Sequence, residues 1–371
     1  MVFRQSITVI FWVGSVAWPA HAADTSVVVA SLCGKRVVAL GELASHGEAR
    51  AFQFKAELAR GLVEQCGFDA VLFEAPIYDF FGFSAGVEAG SPDQRQLDNA
   101  IGRFWWTREL TEWRRWLMQA AGQRRLYVGG LDDQVSVTSE YAVQVLPELV
   151  NLAIEGPEGG RCKQAVRRNL SWDYAGGQAY DNKERLLLAE CTRTALDAGH
   201  AATPQERRML FSLTSYYERS VASLPSTERD VVMYQNLTWH LGRLKPTARV
   251  VVWTANVHAA RTMVEGRVPP MGSMLARHFG ADYAAIGGTA LKGRSRMAGG
   301  EVTTLRPAPG NSLEAQGLAG VDEIAYLNSV QLREIGAVPS RLMGEFAAAD
   351  WTNYFDGVFV VQDEQAPTPG W

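Results

Sequence analysis

Residues 36–74, RVVALGELASHGEARAFQFKAELARGLVEQCGFDAVLFE, decide the fold. Two short runs rich in Val, Leu and Phe, Arg36–Leu40 and Asp69–Phe73, flank a stretch from about Glu48 to Gln65 with helical periodicity, which makes a β-α-β unit. Apolar runs at Arg125–Gly130, Arg249–Trp253 and Tyr283–Ile286, with weaker ones near Ile324–Leu327 and Val358–Val361, extend the same sheet. The expected class is α/β: a mainly parallel sheet flanked by helices, with helical insertions at about 92–122 and 140–246 forming one side of a cleft. The second insertion is broken by Gly156–Gly160, Gly176-Gly177 and Pro225. Strands lie on both sides of it, so one interrupted domain over residues 23–371 is preferred to a separate helical domain. The tail Gln365–Trp371, with two prolines and a glycine, reads as mobile.

With 371 residues, 47% hydrophobic and 20% charged, the chain can bury a sizeable core and is neither fibrous nor a disordered tail. Arg4, an apolar run from Ile7 to Trp18 and then Ala20-His21-Ala22 fit a secretory signal over residues 1–22. The run is far short of the roughly 20 residues that span a bilayer, which disfavours the alternative of an uncleaved anchor. Cleavage removes one charged residue, Arg4, so the mature chain is one unit more negative than the −4 of the whole. That argues against a nucleic-acid partner. No later apolar stretch is long enough for a membrane helix, so the expected location is periplasmic or secreted, with no membrane association.

Cys33, Cys66, Cys162 and Cys191 are an even set, which in an oxidising compartment suggests two disulfides out of three pairings. Cys33–Cys66 would staple the N-terminal ends of the first two strands if these are neighbours, and Cys162–Cys191 would tie two helical segments. Four buried thiols are the alternative, and no pair has zinc-ribbon spacing.

Ligand sites in parallel sheets form outside the carboxyl ends of the strands. Strand one ends in Gly41-Glu42 and Ser45-His46-Gly47, strand two in Glu74, and strand three in Asp132-Asp133-Gln134. The Arg249–Trp253 strand ends in Asn256 and His258, followed by Arg261. Any one of these polar groups is more often a cap or turn residue. Together they place acids, amides and two histidines on one rim, where pKa values can shift and acid–base work becomes feasible. His200, His240 and His278 lie within helical patterns and read as structural.

The sequence resembles the erythromycin esterase family in a set of pieces that follow the family's order. They are Gly41-Glu42 with Ser45-His46-Gly47, Glu74 after a strand, Arg103-Phe104-Trp105-Trp106-Thr107 and Gly130-Leu131-Asp132. Glu228-Arg229-Asp230 with Met233 and Asn236, Val252-Trp253 with Asn256-Val257-His258, and Met271–Leu275 before Tyr283 and Ile286-Gly287 continue the series. The resemblance runs from about residue 36 to 290. It implies a metal-independent, cofactor-free hydrolase that opens a macrolactone or similar small-molecule ester with water, although family members also include polysaccharide-locus proteins. By the same resemblance His46 is the general base, Glu42 its partner, and Lys55 stands where the family has a functional arginine. Glu74 and His258 complete the catalytic rim, and Lys55, Trp105, Trp106, Arg261, Asn256 and Asp132 are the expected substrate contacts. Two departures stand out. Three residues separate Glu42 from His46 where the family has Gly-Glu-x-x-His, which argues against their direct contact, and Ala255 replaces the first histidine of His-Asn-x-His.

Three rivals accompany this reading. Gly82-Phe83-Ser84-Ala85-Gly86 matches the Gly-x-Ser-x-Gly of serine esterases, but the strand before it and the helix after it are not evident. His46, His258, Glu42 and Glu74 have the residue types of a zinc or iron site. A periplasmic haem- or glycan-binding protein without turnover is the non-enzymatic alternative. Trp105, Trp106, Trp113 and Trp116, at helical spacings, read first as core packing, with one or two lining an apolar cleft as the functional alternative. Arg103, Arg108 and Arg261 would orient rim carboxylates or sit in surface pairs, and Arg229-Asp230 would brace the cleft.

Overall fold

Val, Leu and Phe runs with no charge are stable in the middle of a sheet only when both faces are covered, and that is how this chain uses them. The fold, seen in a computed structural model, is described for residues 24–136, 139–174, 179–198, 203–262 and 268–371. The expected signal segment lies outside the described residues, as do His200 and Gly176-Gly177. In chain order the first elements are α1 (Thr25–Leu32), β1 (Val37–Leu40), α2 (Ala49–Cys66), β2 (Ala70–Pro76), α3 (Ile77–Glu88), α4 (Gln94–Ile101), α5 (Thr111–Gly122) and β3 (Tyr127–Asp132). The helices α6 (Glu140–Ala153), α7 (Pro157–Leu170), α8 (Asn182–Asp197), α9 (Pro204–Arg219) and α10 (Arg229–Leu241) follow. Then come β4 (Val250–Trp253), α11 (Asn256–Ala259), α12 (Met271–Phe279), β5 (Tyr283–Arg296) and β6 (Val302–Leu305). The chain closes with α13 (Leu313–Gly317), β7 (Ile324–Asn328), α14 (Ser329–Ile335), β8 (Ala337–Ser340), β9 (Ala347–Asp350) and β10 (Gly357–Glu364).

The main sheet runs β3-β2-β4-β1-β5-β10-β7, with β6 added to β5. All neighbours are parallel except β10–β7 and β5–β6, so the sheet is mainly parallel. Alternate residues feed two cores: Val38, Leu40, Val71, Phe73, Val251 and Trp253 meet α1, α2 and α5 on one face. Val37, Ala39, Ala70, Leu72, Val250 and Val252 meet α10 and α12 on the other. Each fully buried Val, Leu or Phe among them contributes roughly 1.5–3 kcal/mol. A third core gathers α6–α9 with Ile77, Tyr78 and Phe81 of α3.

Both disulfides bind the helices. Cys33–Cys66 joins the end of α1 to the end of α2, and Cys162–Cys191 joins α7 to α8. The expectation of a staple between neighbouring strands needs correction, because β4 lies between β1 and β2 and separates them. Ser84 sits in the middle of α3, so the strand–turn–helix elbow of a serine esterase does not exist there.

The tail departs most from expectation. It is docked, not mobile, since Arg108 N donates to Thr368 O (2.9 Å) and Gly370 N to Trp106 O (3.0 Å), while Ala49 N donates to Gln365 O (2.8 Å). Arg296 Nε adds a bond to Pro367 O (2.8 Å). A Cβ at position 370 would come within 2.7 Å of Trp106 Cδ1, so glycine lets the strap lie flat on the indole.

Candidate active site

β3, β2, β4 and β1 are consecutive in the sheet, and the chemistry sits beyond their carboxyl ends. After β1 the chain needs two close approaches. A Cβ at Gly41 would lie 2.3 Å from Asn256 Oδ1, and one at Gly47 only 1.9 Å from Arg296 O. Between these glycines a turn closes with His46 N donating to Leu43 O (3.0 Å), and His46 takes a left-handed backbone, φ 49°. A non-glycine residue rarely adopts that conformation, and it recurs at functional sites. Glu48, buried, accepts from Ser45 Oγ (2.5 Å), Ser295 Oγ (2.6 Å) and Gly47 N (3.0 Å), which pins the loop. Burial pushes its carboxyl pKa up, partly offset by the two hydroxyls.

This turn absorbs the extra residue between Glu42 and His46, so the spacing does not prevent their contact: His46 Nδ1 lies 2.7 Å from Glu42 Oε1. Trp105 Nε1 donates to the same oxygen (2.7 Å), and Lys55 Nζ to Oε2 (2.5 Å). Three donors thus fix one fully buried carboxylate. The imidazole packs against Phe104 and Trp105, at 5.1 and 5.2 Å between ring centres, with Nε2 on the cavity side, 3.7 Å from Glu74 Oε1. Burial opposes its protonation, but Glu74 and then Glu42 outweigh burial and raise its pKa above 6.5.

Glu74 is the hub. Oε2 accepts from Thr254 Oγ1 and Ala255 N, both 2.8 Å, and Oε1 accepts from Arg229 Nη2 at 2.9 Å and His258 Nε2 at 3.1 Å. Ala255, where the family pattern carries a histidine, therefore serves through its backbone. Burial alone would raise the Glu74 pKa, but His258, His46 and Arg229 hold it well below the usual range. His258 Nδ1 is 2.8 Å from Asp230 Oδ1, and Nε2 is also 3.0 Å from Arg229 Nη1. Burial disfavours its charge, yet Glu74 and Asp230 raise its pKa to about 10. Nε2 thus lies between the Glu74 carboxylate on one side and the Arg229 guanidinium, which can only donate, on the other. Arg229 grips Asp132 through Nε (3.0 Å) and Nη2 (2.7 Å).

A cavity of about 400 Å³ opens over this cluster, and His46, Glu74, Trp105, Asp132 and Arg229 all line it. Four expected contacts do not. Lys55 is fully buried beneath Glu42, with its ammonium 4.3 Å from the Trp253 ring, and burial lowers its pKa. Asn256 spends its amide on Gly288 O, Leu342 O and Gly288 N, because its side chain points into the sheet end. Arg261 pairs with Asp356 (2.8 Å) and Tyr283 O (2.7 Å), bracing β5. Trp106 lines a neighbouring hollow and packs on Trp371. Trp105 and Trp106 belong to the loop before α5, whereas Trp113 and Trp116 are buried in it.

Sequence reasoning gave Arg229 only a bracing role and missed Arg296, Met297 and the tail residues Pro367, Pro369 and Trp371 as cavity walls. Arg229 carried a signal in its position beside Asp230 at the start of a helix. The tail carried none. The rival metal set is not assembled. Among the described residues the one group of such ligand atoms lying within 4.8 Å of one another is Glu158, Cys162 and Cys191, whose cysteines are joined in a disulfide. His240 is buried between Tyr127 OH (2.9 Å) and Gly130 O (2.8 Å), and His278 meets Tyr234 OH (2.8 Å), as structural histidines do.

Comparison with known proteins bears on the family and the fold. Residues 63–363 match the model of the family described as erythromycin esterase. The match extends beyond the resemblance at its C-terminal side, takes in Glu74, Asp132, Arg229 and His258, and starts after Glu42, His46 and Lys55. Three solved structures share the fold. A succinoglycan biosynthesis protein is 14% identical, with a TM-score of 0.70 over 93% of this chain and 91% of its own. A Bacillus cereus protein is 16% identical, with a TM-score of 0.67 over 92% and 91%. An erythromycin esterase, EreC, in a histidine-to-asparagine mutant form and open conformation, is 17% identical, with a TM-score of 0.64 over 91% and 93%. At these identities the likeness speaks for the fold alone. No curated protein sequence matches the chain.

Proposed function

The chain belongs to the erythromycin esterase family, and from that premise we propose that it is an exported hydrolase that cleaves a small-molecule ester, a macrolactone or a simpler one, with water activated by His46. The observation that carries this reading is the 2.7 Å contact of His46 Nδ1 with Glu42, which leaves Nε2 on the cavity side beside Glu74. With Nδ1–H given to the carboxylate, the neutral ring keeps its lone pair on Nε2, where it can take a proton from water. The water oxygen attacks the ester carbonyl carbon, and Arg229, a cation on the cavity wall, stabilises the oxyanion. Collapse breaks the carbonyl–alkoxide bond, and the alkoxide recovers the proton from Nε2. Glu74 stays ionised throughout, holds Arg229 and His258, and raises the basicity of His46.

Export is supported by the two disulfides and by the signal-like sequence of residues 1–22. Among the described residues no helix is long and apolar enough to cross a membrane. The test is a panel of macrolactones and simple esters incubated with the wild type, His46→Ala and Ser84→Ala, read by the mass gain of one water. Turnover by the wild type and Ser84→Ala, lost in His46→Ala, is the expected pattern. Failure of the wild type on every ester would shift weight to a binding protein.

A further inference from the structure

The inner wall of the cavity and the layer beneath it are internally paired, three cations against four carboxylates. Arg229 serves Glu74 and Asp132, His258 serves Glu74 and Asp230, and Lys55 serves Glu42. The outer wall is not. Arg103 and Arg296 line the same cavity, and neither forms an ion pair with a carboxylate among the described residues. Arg296 is oriented by backbone oxygens, Nε on Pro367 and Nη1 on Gly300 (2.7 Å), which leaves Nη2 for another acceptor. Arg103 has its guanidinium carbon 5.7 Å from the centre of the Trp371 ring. The strap that brings Trp371 there is fixed to the 106–108 segment, so this wall is built rather than incidental. Two uncompensated guanidinium groups on a chain of net charge −4 select for an anion and against a cation. Their planar forks match a carboxylate.

Resting on the esterase reading, we propose that the substrate carries a free carboxylate in addition to the ester bond, received by Arg103 and Arg296 with its hydrocarbon against Trp371 and Phe104. The scissile carbonyl then lies over His46 and Arg229, and the second acid group at the outer wall.

The experiment uses two esters that differ in one group: the mono-para-nitrophenyl ester of adipic acid, with its second carboxylate free, and the same compound with that group as a methyl ester. The wild type is expected to favour the acid in kcat/KM. Arg103→Gln should lower the acid-to-neutral ratio about fivefold, the scale of one exposed ion pair. Raised salt should lower the wild-type ratio in the same direction. A ratio below one in the wild type, or one that Arg103→Gln leaves unchanged, overturns the proposal. If neither ester is hydrolysed, binding of the two compounds to the wild type and Arg103→Gln is read by tryptophan fluorescence. Tighter binding of the acid that depends on Arg103 keeps the carboxylate site while the esterase reading fails, and equal or absent binding overturns the site.

Discussion

Glu42→Gln separates the account from a generic buried carboxylate more sharply than any other single change. The Glu42 side chain is fully buried, and so is its partner Lys55, whose ammonium is 2.5 Å from Oε2 and otherwise has Thr254 O (3.2 Å) and the face of Trp253. Removing one member of such a pair leaves an uncompensated buried charge, at a cost of about 3–5 kcal/mol. That is a large share of a typical folding stability of about 5–15 kcal/mol. The neutral amide still has an oxygen for Trp105 Nε1 and His46 Nδ1, so the expected loss lies in the ion pair and not in the packing. Adding Lys55→Met removes the stranded ammonium and should restore most of the loss. Urea unfolding of wild type, both single variants and the double variant gives the coupling energy directly. A single variant that loses less than about 1 kcal/mol, or a double variant no more stable than Glu42→Gln, would refute the reasoning.

Three other outcomes are expected. If neutral His46 is the base, kcat/KM rises with pH through a midpoint above 6.5, and Glu74→Gln, which removes the charge that raises this pKa most, moves the midpoint down; a midpoint unmoved by Glu74→Gln counts against the assignment. His258 has a folded pKa of about 10 against 6.5 unfolded, so its contribution to stability, on the order of several kcal/mol, is complete below pH 6.5 and is lost as pH climbs toward 10. Urea melts across that window should show the decline, and Asp230→Asn should flatten it. The docked tail predicts slow hydrogen exchange at the amides of Arg108 and Gly370, whereas a mobile tail would exchange at once.

The sheet and its rim were legible because strand and site share one signal. An apolar run buried on both faces ends where polar side chains replace it, and Glu42, Glu74, Asp132 and His258 stand at those ends, buried against one another. What the sequence hid was direction. A polar residue at or past the end of a strand can face the cavity, as Asp132 does, or turn under the sheet end, as Asn256 and Arg261 do. Lys55 lies on the buried face of an amphipathic helix, where only its contact with Glu42 explains it. The Glu42–His46 contact depended on a left-handed turn at His46, a conformation that side-chain spacing does not encode. The strap 365–371 is held by backbone bonds to residues more than 200 positions away, and its proline and glycine content looks the same whether it is docked or loose. β6, β8 and β9 are four residues each and only partly buried, at the edge or outside the main sheet, so they lacked the apolar run that revealed the others.

The central claim is that a water molecule is activated at His46 Nε2. The most direct measurement is kcat/KM of His46→Ala beside the wild type on the best ester of the panel, with urea unfolding to show that the variant is folded. The account predicts a folded protein whose turnover falls by about 10²–10⁴-fold, the usual contribution of a positioned general base. A folded His46→Ala variant that retains activity within about tenfold of the wild type would contradict it.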